Sequence, residues 1–369
     1  MSELILGMDI GSSHIKVTSI KEDLTMDVKV YPIWKSSMNA NVPRISLIDA
    51  TIKHILKENL RKHEHKRVNV GVVTSFEAMY PSFDHISYFT KLTEMFQSVE
   101  FYTVSQEFKS VSLEDIESWP KMSVLHALGY IASKLLDTGL LIQMNSSSTV
   151  FIPVISGQVV PLQVHYSSGI GLWIGALYTD VHLIGNETII FGRKSLISSS
   201  FATLLDLLLK LRGEQFVKKI IVDYHSPVSI TEKYLTDSSE ILMKLFGVFP
   251  DMEYRNRAGI KYDLDNQTKI ASLYLYSRLA NIMFENVLKI ISELDMSLND
   301  LKLVLSGIGK EFILPEALHL LASQLVDIEE YVPKPYCIFL ESLGVVLSLF
   351  EHVTGTTIKL DEIKWGEGI

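Results

Sequence analysis

Gly7-Met8-Asp9-Ile10-Gly11-Ser12-Ser13-His14-Ile15-Lys16 decides how this chain reads. The segment joins an apolar run, Leu4 to Ile10, to an alternating run, Ile15 to Ile20, so it is predicted to be a β-hairpin. Its tip holds a glycine and two hydroxyls. A phosphate needs donors without bulk: Gly11 lets backbone N–H groups approach, and Ser12 and Ser13 add O–H donors. Asp9, at the strand end, is placed to hold a hydrated Mg²⁺, which favours one or two carboxylates plus waters. Lys16 closes the motif and is counted with the binding residues. The plain alternative is an ordinary hairpin with a polar tip.

Outward from the hairpin, Val28 to Trp34 reads as a third strand. Ile48, Ile52, Ile55, Leu56 and Leu60 share one face of a helix over Ile45 to Lys62. Strands are expected over Val68 to Val73 and Val99 to Val104, with helices over Ile86 to Phe96 and after Pro120. The second half repeats the plan. Leu140 to Met144 and Val150 to Ile155 read as strands, with Gly157 turning the chain into Gln158. Leu204, Leu205, Leu208 and Leu209 trace a helix, Lys219 to Val222 reads as a buried strand, and Gly185-Asn186 as a hairpin turn. A long helix is expected over Lys269 to Leu294, a strand over Leu301 to Leu305, and a closing helix over Ile338 to Phe350. The tail from Lys364 reads as frayed.

Two further loops fall where a repeated fold needs them. Gln143-Met144-Asn145-Ser146-Ser147-Ser148-Thr149 lies between two strands and carries hydroxyls, but no carboxylate. Ser306-Gly307-Ile308-Gly309-Lys310 follows an apolar strand and opens a helix, a turn against which a base or ribose can lie. The expectation is an α/β chain of two ribonuclease H-like domains, residues 1–137 and 138–369, around a central cleft.

These three loops resemble the phosphate-one, phosphate-two and adenosine motifs of the actin/sugar-kinase/Hsp70 superfamily, which carries an actin-like ATPase domain. Within it the chain resembles the hydantoinase/oxoprolinase-related branch. In that branch it looks most like the tetrahydromethanopterin-linked one-carbon transfer proteins, which include the archaeal synthase joining tyramine to a furanmethanol diphosphate in methanofuran biosynthesis. Asp9 and Gly11 match that family's Asp-Ile-Gly opening. Val72 to Ala78 puts Glu77 on a family Glu, and Phe201 to Asp206 carries over Thr203 and Asp206. The resemblance implies catalytic roles for Asp9, Glu77 and Asp206, with Asp9 on Mg²⁺. It implies that Gly11, Ser12, Ser13, Lys16, Asn145, Ser146, Ser147, Ser148, Thr149, Ser306, Gly307 and Gly309 hold ATP or another phosphorylated ligand. The second loop departs from the family. Its two Asp positions fall on Gln143 and Val150, its Gly on Asn145, and a following Glu, Tyr and Arg on Ile170, Trp173 and Tyr178. Lost charge at these positions removes metal-holding and anion-clamping groups.

The chain has 369 residues, 47% hydrophobic and 21% charged, with a net charge of −9. That balance is globular and gives no basic footprint for nucleic acid. A lone cysteine, Cys337, excludes an internal disulfide framework. The amino terminus reads as a strand, and Glu341 interrupts the apolar stretch Ile338 to Phe350, so a cytoplasmic chain without membrane contact is expected. Two readings of function stand side by side: a divergent transferase or synthase acting on a phosphorylated small molecule, and a ligand-binding subunit, alone, with a second copy or beside an active paralogue. A filament-forming protein is the third.

Overall fold

The computed structural model describes residues 4–11, 14–33, 45–62, 67–74, 83–120, 122–160, 171–197, 202–225, 230–249 and 251–366. The strands are β1 Leu4–Ile10, β2 His14–Ile20, β3 Thr25–Pro32, β4 Val68–Thr74, β5 Val99–Val104, β6 Ser110–Ser112, β7 Gly139–Met144, β8 Thr149–Ile155, β9 Gln158–Val159, β10 Gly171–Leu172, β11 Glu187–Ile190, β12 Arg193–Leu196, β13 Lys302–Ser306, β14 Leu325–Asp327 and β15 Lys364–Trp365. The longer helices are α1 Ile45–Lys62, α2 His85–Met95, α3 Ser123–Leu135, α4 Leu204–Arg212, α5 Glu214–Asp223, α6 Glu232–Leu245, α7 Leu264–Glu293 and α8 Leu340–Thr354.

Two sheets repeat one plan. In the first, the order is β15-β3-β2-β1-β4-β5-β6. β1, β2 and β3 form an antiparallel meander, and β4 and β5 run parallel to β1 and to each other. In the second, the order is β10-β8-β7-β13-β14, with β9 beside β8. There β8 is antiparallel to β7 and β10, while β13 runs parallel to β7 and β14 parallel to β13. Third, second, first, fourth, fifth is therefore the order in both. The chain is α/β, with two sheets of ribonuclease H-like strand order around a central cleft. The physical cause is visible in β1 and β4, whose seven residues each are all buried. A parallel sheet covered on both faces requires such continuous apolar strands, and the crossover helices provide the cover.

Helix α8 and strand β15 come from the end of the chain yet pack on the first sheet. Three glycines permit the close approach of α8. A methyl group on Gly7 would collide with the Ser342 carbonyl, one on Gly71 with the Val345 side chain, and one on Gly344 with the Ala127 carbonyl. A buried hydroxyl pair, Thr18 and Ser342 at 2.7 Å, fixes the helix in register. Tyr336–Thr354 is long and apolar enough to cross a membrane by composition, but 72% of its most apolar stretch is buried against the rest of the chain.

Three local expectations need correction. Lys219 to Val222 is the last part of helix α5, where Val217, Ile220 and Ile221 are buried at helical spacing. Four apolar residues do not distinguish a buried strand from one turn of a helix. Gly185 ends a short helix, Val181–Ile184, and the β11–β12 turn instead falls on Phe191 and Gly192, both at positive φ. The tail is not frayed through Trp365: that ring packs 4.9 Å from Tyr336, and Lys364 and Trp365 pair with Thr25 and Met26.

Candidate functional site

The loops at the ends of β1, β7 and β13 meet in one cleft with a cavity of about 120 Å³. Asp9, Gly11, His14 and Lys16 line it from the first hairpin, and Asn145, Ser146, Ser147 and Ser148 from the β7–β8 loop. Gly307 and Ile308 line it from the turn after β13. Tyr224, from the end of α5, closes one side, and Glu341, from the first turn of α8, reaches its floor. The fold thus brings described residues of all three loops to one cleft.

Asp9 and Lys16 face each other across the β1–β2 ladder as register partners. The Lys16 ammonium lies 3.7 Å from Asp9 Oδ2 and 3.3 Å from Glu341 Oε2. Glu341 is only 2% exposed. Its Oε1 accepts hydrogen bonds from Gln143 Nε2 at 2.6 Å and Asn145 Nδ2 at 2.8 Å. A buried charge must be paired and hydrogen-bonded, and Glu341 is both. It also bridges the two halves, because α8 rests on the first sheet while Gln143 and Asn145 belong to the second. Burial, followed by the Glu341 charge, raises the Asp9 pKa from 3.8 to about 7, against the pull of Lys16. Burial lowers the Lys16 pKa, but the Glu341 and Asp9 charges outweigh it and hold the ammonium above its ordinary range.

The second loop is held by its own backbone. Asn145 N–H donates to the Ser148 carbonyl at 2.8 Å, and the Asn145 carbonyl accepts from Ala176 N–H at 2.7 Å. The Ser146 carbonyl accepts from Leu177 and Tyr178. Gly175 packs so closely on Ser147 that a side chain there would strike the loop backbone. The tip is thus a rigid run of three serines.

Other expected residues serve different ends. Thr149 is fully buried and gives its hydroxyl to the Ile174 carbonyl at 2.5 Å, beneath the loop. Gly309 lies against the Met144 side chain and Gly307, at φ 75°, against the Met144 carbonyl. The glycine pair is required for close packing of the two strand ends, and of the two only Gly307 lines the cleft. Ser306 and Gln143 are register partners on β13 and β7, and the Ser306 hydroxyl and Gln143 Oε1 are buried without a hydrogen-bond partner among the described residues. Asp206 is placed away from the cleft. Its carboxylate accepts from the Thr203 N–H at 2.7 Å, the Thr203 hydroxyl at 3.1 Å and the Tyr234 hydroxyl at 3.4 Å, so it caps α4 and ties it to α6. Ser12, Ser13, Glu77 and Ile170 lie outside the described residues.

No protein-family model matches the chain, and no curated protein matches it. Among solved structures, the chain is similar to component A of the (R)-2-hydroxyglutaryl-CoA dehydratase of Acidaminococcus fermentans, at 11% identity and TM-score 0.40, over 93% of this chain and 96% of that one. It is similar to the activator of the 2-hydroxyisocaproyl-CoA dehydratase of Clostridium difficile, at 10% identity and TM-score 0.42, over 95% and 96%. It is also similar to the ethanolamine utilization protein EutJ of Carboxydothermus hydrogenoformans, at 9% identity and TM-score 0.40, over 93% and 89%.

Sequence reading missed Glu341 and Tyr224. Glu341 had a signal: it is the single charge in an otherwise apolar thirteen-residue run, Ile338 to Phe350. Tyr224 had none. Its hydroxyl donates toward the Gly307 carbonyl at 3.2 Å and Glu311 at 3.0 Å, which steadies the glycine turn from outside.

The Mg²⁺ expected at Asp9 can be tested against these donors. Among the described residues no group of three His, Cys, Asp or Glu side chains is arranged to hold a metal ion. The cleft has two carboxylates, and an ammonium already stands between them. Both carboxylates are thereby already paired with a cation that belongs to the chain.

Proposed function

We propose that the cleft binds the phosphoryl end of a small phosphorylated molecule, with ATP as the first candidate. The observation that carries this reading is the convergence of Gly11, the Ser146–Ser148 tip and Gly307 on the one cleft that also holds the Lys16 ammonium. Serine hydroxyls and loop N–H groups are donors suited to phosphate oxygens, and a half-buried ammonium adds charge-assisted attraction. The apolar wall at Val30, Val124, Ile308 and Ile338 suits the unphosphorylated part of such a ligand.

Binding without turnover is the reading this geometry favours. Gln143 and Asn145 offer the cleft amides that are engaged by Glu341, where phosphoryl transfer needs fixed charge to offset what develops on the phosphate. On this reading the chain is a ligand-binding subunit in the cytoplasm, acting with a second copy or an active paralogue. A second reading, a transferase or synthase of one-carbon or methanofuran-like cofactor metabolism, is favoured by one feature. Asp9 has the strongly shifted proton affinity that accompanies acid–base work at many active sites.

Thermal unfolding with ATP, ADP and pyrophosphate, joined to a phosphate-release assay, separates the readings. A ligand at a hundred times its Kd stabilises by about 2.7 kcal/mol. Stabilisation without phosphate release supports the binding subunit. Turnover abolished by Asp9→Asn supports the enzyme, and no stabilisation by any of the three removes the phosphoryl site.

A further inference from the structure

Phosphate-binding Mg²⁺ sites use one or two carboxylates, with water and the phosphate itself filling the other positions. The floor of this cleft has two carboxylates, Asp9 and Glu341, but the group between them is Lys16. We infer that the Lys16 ammonium stands in for the divalent cation, so that the cleft binds a phosphoryl oxyanion without a metal. This rests on the phosphoryl reading of the cleft given above.

Three observations carry it. First, Lys16 cannot withdraw easily. It is fixed opposite Asp9 by the β1–β2 register, and its side chain is only 18% exposed. A Mg²⁺ bound to Asp9 would have to share that carboxylate with the Lys16 ammonium, which already lies 3.7 Å from Oδ2.

Second, the second loop supplies no metal ligand of the preferred kind. Gln143 and Asn145 direct amide N–H groups at Glu341 Oε1, at 2.6 and 2.8 Å. An amide in that position solvates Glu341, whereas a carboxylate would repel it. The amides of Gln143 and Asn145 and the buried acid on α8 are therefore one arrangement. A monovalent cation, covalently attached to β2, then offsets one of the two carboxylate charges.

Third, the charge balance tolerates an incoming anion. The charged groups facing Asp9 are Lys16 from β2 and Glu341 from α8, and burial together with Glu341 favours the protonated carboxyl. With Asp9 protonated, Lys16 and Glu341 cancel, and an oxyanion meets no excess negative charge.

The test is calorimetric titration of the full chain with pyrophosphate and with ATP, once in EDTA and once in excess Mg²⁺. The expected result is binding undiminished in EDTA. Lys16→Met is expected to lower the EDTA affinity at least about tenfold, and Lys16→Arg to retain most of it. Binding that vanishes in EDTA and returns with Mg²⁺ overturns the metal-free inference and leaves the phosphoryl site standing. Wild-type affinity in a folded Lys16→Met chain overturns it as well. No binding of either ligand in either buffer overturns the phosphoryl reading and this inference together. Should Lys16→Met fail to fold, the wild-type comparison of EDTA with Mg²⁺ decides alone.

Discussion

Replacing Asp9 by Asn removes a titration that burial and Glu341 have moved into the neutral range. Asp9 is 5% exposed, and its pKa stands at about 7 against 3.8 for the free side chain. Burial is the largest cause and the Glu341 charge the second, with Lys16 opposing both. Between those two values the folded chain keeps a proton that the unfolded chain has released. Proton binding then favours the folded state, and the contribution is fully present below pH 3.8 and lost as pH rises through about 7. Some three units at 1.36 kcal/mol each give about 4 kcal/mol, and little change is left above pH 8. Asn has the same shape and does not titrate. Urea unfolding of both chains from pH 4 to 8 reads the difference directly. The Asp9→Asn chain is expected to gain on the wild type steadily with pH, by up to about 4 kcal/mol. A stability difference independent of pH across this interval would refute the assignment of Asp9 to a shielded, Glu341-facing position.

Glu341→Gln should destabilise by about 3–5 kcal/mol at pH 7 by urea unfolding, because Lys16 loses a buried partner, and should also shrink the pH-dependent loss assigned to Asp9. Gly344→Ala should cost about 1–3 kcal/mol or more, seen as a lowered melting temperature, since the added methyl meets the Ala127 carbonyl rather than a movable side chain. Ser306→Ala should be neutral or slightly stabilising in the ligand-free chain, because it deletes a buried hydroxyl that has no partner among the described residues. Pyrophosphate affinity should fall as pH rises from 6 to 8, since a bound anion favours the protonated Asp9, and calorimetry across that range checks the sign.

The glycine turn shows how one motif carries two meanings. In sequence, Gly307 and Gly309 read as room for a base or ribose. In the fold, both lie against Met144, and a side chain at either would collide with it. Spacing alone cannot separate these uses, because close approach to a ligand and close approach to a neighbouring strand make the same demand on Cβ. Asp206 is a similar case: an acid at the third position of a helix is a capping residue by local chemistry, and its hydrogen bonds to Thr203 fulfil that role.

The sequence by itself determined the periodic elements and the three polar loops, because hydrophobic spacing and turn chemistry act over a few residues. Helix α1 matches its expected span, Ile45–Lys62, for that reason, and β1 and β4 were legible as short apolar-rich strands. Tertiary structure alone decided that Glu341, 325 residues beyond Lys16, becomes its counter-ion. That pairing depends on α8 returning to the first sheet, resting on Gly7 and Gly71 and turning its own Gly344 to Ala127, a choice set by packing between distant segments. Charge pairing across such separations leaves no period and no spacing in the chain. A carboxylate in an apolar helix shows only that some partner must be found for it, and the fold names Lys16, Gln143 and Asn145.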